Sequence, residues 1–167
     1  MQDSTVFLIG MPGAGKSTLG VLLAKALALP FVDTDLMIQS RAGETLQSFL
    51  DKNGYLALRD LEEKVLLEEP FNQMVVATGG SVVYSQKGME RLGTLGRRVY
   101  IKIALDEVQR RVSNKGERGI ASAPGTTLES IYHERCPLYE KYADVTVACD
   151  GLNFEQSLEK IKSLLSS

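Results

Sequence analysis
Gly10-Met11-Pro12-Gly13-Ala14-Gly15-Lys16-Ser17 follows the apolar, β-branched run Thr5-Val6-Phe7-Leu8-Ile9 and precedes a helical pattern, so strand, glycine-rich turn and helix come in direct succession. The spacing G-x-x-x-x-G-K-S is that of a phosphate-binding loop, and each part has a mechanical reason. Residues without a Cβ let the backbone reach φ > 0 and turn its N–H groups into a concave nest for a polyphosphate. The helix opening near Lys16 points its partial positive charge at the same place. Lys16 adds a full charge for the β- and γ-phosphates, and the Ser17 hydroxyl is suited to ligate Mg²⁺. Gly13, Ala14, Gly15, Lys16, Ser17 and Thr18 are thus the expected contacts of a nucleoside triphosphate, ATP in the first instance.

The pattern outward from the loop predicts the rest of the fold. Leu19, Leu22, Leu23, Ala26 and Leu29 recur at helical spacing until Pro30 ends the helix. Phe31-Val32 reads as a short second strand delivering Asp33-Thr34-Asp35 at its end. Leu46, Phe49 and Leu50, a break at Asn53-Gly54, then Leu58, Leu61 and Val65 predict two helices at an angle. Met74 to Ala77 reads as a buried strand running into Thr78-Gly79-Gly80-Ser81, and Val99 to Ile103 as another, ahead of a helix carrying Arg110 and Arg111. Val145 to Ala148 is a last strand, and Phe154, Leu158, Ile161 and Leu165 mark a terminal helix with Asn153 as N-cap. The expectation is a doubly wound α/β fold with about five parallel strands and helices on both faces, in one domain over residues 1–167. In such sheets ligands sit beyond the carboxyl ends of the strands. The phosphate loop, Asp33/Asp35 and Gly79-Gly80 each follow one of the first three strands, so topology should bring them to one crevice. Asp33 to Asp35 also suits the cap of the next helix, and the two roles can coexist.

The 167 residues, 44% hydrophobic and 24% charged, suffice for one well-buried core. A net charge of -2 with no basic face argues against a nucleic-acid or membrane-surface partner. Cys136 and Cys149 lie in no metal-ligand spacing and read as reduced thiols, which points to the cytoplasm. No targeting pattern and no run of membrane-spanning length is seen, and a monomer is expected.

Three arginines stand out. Thr126 to Tyr142 opens with a capping box, Thr126 with Glu129, and carries Leu128, Ile131, Tyr132, Leu138, Tyr139 and Tyr142 on one stripe. Arg135 falls on that stripe, where a guanidinium needs an anionic partner or a ligand carboxylate or phosphate. Pro137 should kink the helix there. Arg59 has Glu62 and Glu63 one turn on, so a helix-surface ion pair accounts for it as well as a ligand does. Residues 113–125, with several glycines and little apolar pattern, read as a lid whose Arg118 can reach a transferring phosphoryl group. His133 reads as a polar helix residue.

These residues, in this order and spacing, resemble the shikimate kinases along essentially the whole chain: the phosphate loop, Asp33-Thr34-Asp35, Arg59 with Glu62, Thr78-Gly79-Gly80, Arg118 and Glu134-Arg135-Cys136-Pro137-Leu138-Tyr139. The resemblance implies ATP-dependent phosphorylation of the shikimate 3-hydroxyl. It implies that Asp35, Arg59, Gly80 and Arg135 hold shikimate, the arginines on its carboxylate and Asp35 near the attacking oxygen, through helices at about 34–69. It further implies that Lys16 and Arg118 contact phosphates, that Ser17 ligates Mg²⁺ with Asp33 supporting it through water, and that Arg111 lies beside adenine. The sequence departs from the family pattern at Ser81 (usually a third glycine), Tyr55 (glutamate), Leu58 (phenylalanine) and Gly119-Ile120-Ala121 (Pro-Leu-Leu). None of these removes a carried-over charge; they bear on substrate affinity and lid closure. A gluconate or nucleoside monophosphate kinase, or a nucleotide-binding module without catalysis, are the competing readings.

Overall fold
The structure is a computed structural model describing residues 5–115 and 120–167. Its centre is β1 (Thr5–Ile9), buried along its whole length. To one side lie β3 (Val75–Ala77) and then β2 (Phe31–Asp33), to the other β4 (Gly96–Lys102) and β5 (Val145–Ala148). The order is β2-β3-β1-β4-β5, and every pairing is parallel. Strands covered on both faces read as continuous apolar runs, which is why Val75-Val76-Ala77 and Val99 to Ile101 show no alternation. The chain leaves β1 toward β2 and leaves β3 toward β4, on opposite sides, so a crevice opens between the carboxyl ends of β1 and β3.

Helix α1 (Lys16–Leu27) starts at Gly15, whose φ of 93° is a left-handed turn that a side chain would strain. Helix α2 (Thr34–Ala42) is capped by Asp33, whose carboxylate accepts the Asp35 N–H at 2.9 Å. Helix α3 (Leu46–Glu68) breaks at Gly54, with φ 83° and ψ 169°, giving the expected angled pair. A 3₁₀ turn (Val82–Tyr84) and α4 (Gln86–Leu95) follow β3, and neither was expected as a distinct element. Strand β4 starts at Gly96, three residues ahead of the expected start, because Gly96, Arg97 and Arg98 pair with Thr5, Val6 and Phe7 of β1, while the Arg98 side chain is held by Asp144.

Helix α5 (Leu105–Lys115) takes in residues 113–115 of the stretch expected to form a lid. Arg118 and the other residues of 116–119 lie outside the described residues. In α6 (Leu128–Tyr142) the N-cap is Thr127, not Thr126: Thr127 Oγ1 accepts the Ser130 N–H at 3.1 Å, while Thr126 Oγ1 donates to the Ala123 carbonyl at 2.7 Å. The helix carries Pro137 within its span and continues to Tyr142. Helix α7 (Phe154–Ser166) has the Asn153 cap, completed by Gln156 as a reciprocal box. Among the described residues no helix is long and apolar enough to cross a membrane.

Candidate active site
The loop after β1, the Asp33–Asp35 corner after β2 and the Gly79-Gly80 turn after β3 meet in one cleft of about 240 Å³. Gly13, Gly15, Lys16, Ser17 and Thr18 line it together with Asp35, Glu62, Gly80, Ile120, Ala121 and Arg135. Ala14 is buried behind this wall, its N–H donating to the Met11 carbonyl at 3.1 Å. The corner is tied by Thr34, whose buried Oγ1 accepts the Gly79 N–H at 3.2 Å. Gly80 permits the close approach: a Cβ there would come within 2.8 Å of Pro12 and 3.0 Å of Arg135 Nη1. Tyr139 Oη donates to the Gly80 carbonyl at 2.5 Å, so α6 fixes the same turn.

Lys16 Nζ donates to the Gly10 and Met11 carbonyls, each at 2.8 Å, which holds the ammonium at the mouth of the loop. Burial pulls it down to about 8, with Asp35 and Asp33 working in the other direction. Ser17 Oγ donates to Asp33 Oδ2 at 2.6 Å, so Asp33 caps α2 with one oxygen and holds Ser17 with the other. Asp35 is pushed up to about 6, first by burial and then by the neighbouring Asp33 charge.

Arg59 and Arg135 converge from α3 and α6. Arg135, 1% exposed, donates from Nη2 to the Ala121 carbonyl at 2.9 Å, and Arg59 Nη2 reaches the same oxygen at 3.2 Å. The ion pair open to Arg59 on its own helix is not the arrangement adopted: Ser81 Oγ donates to Glu62 and Ser85 Oγ to Glu63, and the Arg59 guanidinium lies over the Tyr84 ring at 3.8 Å. Arg59 lines an adjoining cavity, separated from the main cleft by Glu62 and Ser81, which border both. Arg111 stands behind the loop, with Nη1 on the Gly13 carbonyl at 3.1 Å and Nε on Glu107 at 2.6 Å.

Glu62, Tyr84 and Phe154 were not assigned roles from sequence. Phe154 is 46% exposed, yet its ring edge is 3.1 Å from where a Gly15 Cβ would stand, with Arg111 nearby. An exposed aromatic opening a helix was the signal available. Glu62, 5% exposed, is pushed up to about 7 by burial and by Asp35, against the opposing pull of Ser81, Arg135 and Arg59.

A carboxyl whose pKa is higher folded than unfolded makes the folded chain bind more protons in between, so stability falls as pH rises from about 4.5 to about 7. For Glu62 this amounts to at most about 3 kcal/mol. Lys16 contributes a slope of the opposite sign, and only from about pH 8 upward. Glu62→Gln should therefore flatten the decline in thermal midpoint between pH about 5 and about 7.5 that the wild type shows. An unchanged decline in the variant would contradict this reading of Glu62.

The model of the shikimate kinase family matches residues 12–166. Shikimate kinase 1 of Yersinia enterocolitica is 37% identical, over 99% of this chain and 98% of its own. Among solved structures, shikimate kinase from Acinetobacter baumannii in complex with shikimate aligns with a TM-score of 0.89 at 28% identity, over 98% of this chain and 93% of that one. Shikimate kinase from Aquifex aeolicus gives 0.82 at 30% identity, covering 97% and 96%. With sequence similarity running from end to end and the same sheet beneath it, the chain belongs to the shikimate kinase family.

Proposed function
We propose that the cleft transfers the γ-phosphoryl group of ATP to the 3-hydroxyl of shikimate, giving shikimate 3-phosphate and ADP. The observation that carries this is the pairing, in one cleft, of a phosphate loop with buried Arg135, joined by Arg59 at a shared oxygen. Two guanidiniums aimed at one oxygen suit a carboxylate, a planar group that arginine binds through paired hydrogen bonds.

The triphosphate lies along Gly13 to Thr18, with Lys16 on the β- and γ-phosphates. Arg111 and the ring of Phe154 flank the back of the loop and offer a cationic plane and an aromatic face to the adenine. Ser17 and Asp33, hard oxygen donors 2.6 Å apart beside the loop, fit Mg²⁺, with Ser17 as the direct ligand and Asp33 acting through water. When bound, the ion neutralises charge on the phosphoryl oxygens.

Arg59 and Arg135 hold the shikimate carboxylate, and Gly80 leaves room for the ring. Asp35 receives the proton of the 3-hydroxyl as the new O–P bond forms and the bond to the ADP oxygen breaks. Its raised pKa, about 6, leaves it ionised at neutral pH and a better base than an ordinary aspartate.

ADP release from MgATP, with shikimate, gluconate, AMP or CMP as acceptor and Lys16→Ala as blank, tests the assignment. Release that depends on shikimate alone is expected. Release with another acceptor and none with shikimate would overturn the acceptor, and none with any would leave only a nucleotide-binding module.

A further inference from the structure
We propose that Tyr84 is a positioning residue for the acceptor carboxylate, its ring and hydroxyl holding the Arg59 and Arg135 guanidiniums toward a common point and so favouring an anionic acceptor. The inference rests on the acceptor assignment above. Tyr84 ends the 3₁₀ turn after the Gly79-Gly80 corner and lies between α3 and α6. The Arg59 guanidinium carbon is 3.8 Å from its ring centre and that of Arg135 is 5.3 Å away. Arg135 Nε donates to the Tyr84 hydroxyl at 3.3 Å, and that hydroxyl donates to Glu134 at 2.5 Å. One side chain thus touches both cations and anchors itself to α6.

Two guanidiniums drawn to one oxygen repel each other, and the ordinary remedy is a carboxylate between them. A carboxylate would, however, occupy the same N–H donors that a ligand carboxylate needs. An aromatic face attracts a cation through its π cloud and leaves the in-plane donors free. Among the described residues the buried Arg59 Nε has no hydrogen-bond partner, which fits a guanidinium held by its face. The Nη2 donors of both arginines remain directed at one point, marked by the Ala121 oxygen. Glu62, a buried carboxyl that feels both arginines, is engaged by Ser81.

The test compares wild type with Tyr84→Leu, Tyr84→Met and Tyr84→Phe, using shikimate and its uncharged methyl ester as acceptors. Loss of the ring should raise KM for shikimate about tenfold while leaving KM for ATP within about twofold. The preference for shikimate over the ester, as a ratio of kcat/KM, should fall by a similar factor. Tyr84→Phe keeps the ring and should stay within about threefold of wild type. Two ring-less variants of different shape keep the comparison from hanging on one fold. The proposal is overturned if KM for shikimate is unchanged without the ring, if shikimate and ester decline together, or if Tyr84→Phe is as impaired as Tyr84→Leu. Absence of shikimate-dependent ADP release in the wild type would overturn the acceptor assignment itself and this inference with it, so the wild-type control separates the two failures.

Discussion

Lys16→Ala should lower kcat with MgATP and shikimate by about a thousandfold while the protein keeps its fold. Phosphoryl transfer passes through a loose transition state, so catalysis is mostly positioning and charge stabilisation, and Lys16 supplies a full charge at the loop. Its side chain is buried, which pulls the ammonium down to about 8, and a charge in a water-poor cleft acts more strongly on a phosphoryl group than one in solvent. The same burial makes the side chain costly to the fold. Its removal forfeits two hydrogen bonds to loop carbonyls but also relieves that cost, so the thermal midpoint should move by only a few degrees. Steady-state turnover and a melting curve on the same preparation check both halves. Turnover within about tenfold of wild type would remove Lys16 from the phosphate site.

Asp35→Asn should lower kcat by about a hundredfold or more, through lost proton acceptance and lost orientation of the acceptor. The replacement keeps size and shape, so packing against Gly79 and Lys16 is little altered. The wild type should lose kcat/KM below about pH 6, where the Asp35 carboxyl becomes protonated, and the residual activity of the variant should lack that acid limb. A pH profile of kcat/KM for both proteins checks this. Near wild-type turnover, or the same limb in the variant, would refute the role given to Asp35.

Features made by neighbours in sequence were legible before the fold was known. The phosphate loop is one, since strand, turn and helix are consecutive. Arg135 is another, because helical spacing alone puts it beside Ile131 and Tyr139 on the buried side of α6. The meeting of Asp35 and Gly80 with the loop needed only the rule that parallel strands present their carboxyl ends together.

Contacts between distant segments were not legible. Arg59 has carboxylates within reach on its own helix, and only the packed structure shows Glu62 and Glu63 taken by Ser81 and Ser85 and Arg59 set against Tyr84, Tyr55 and Ala121. Tyr84 and Phe154 belong to no motif; each matters through a neighbour more than twenty residues away. The miss at the start of α6 is of a different kind. Thr126 and Thr127 are chemically equivalent caps, and the choice between them turns on which hydroxyl the Ala123 carbonyl takes. Ser81, a departure from the family pattern, proves to be a partner for a buried acid rather than a loss at the turn.

The phosphate loop and the arginine pair should serve one reaction on one acceptor oxygen. Phosphorus–proton correlation NMR on a mixture of the protein, MgATP and shikimate tests it most directly, because it identifies the carbon that carries the new phosphate. A single monophosphate ester coupled to the proton at carbon 3 is expected, appearing with ADP and absent with Lys16→Ala. An ester at another hydroxyl, or ADP accompanied only by inorganic phosphate, would contradict it.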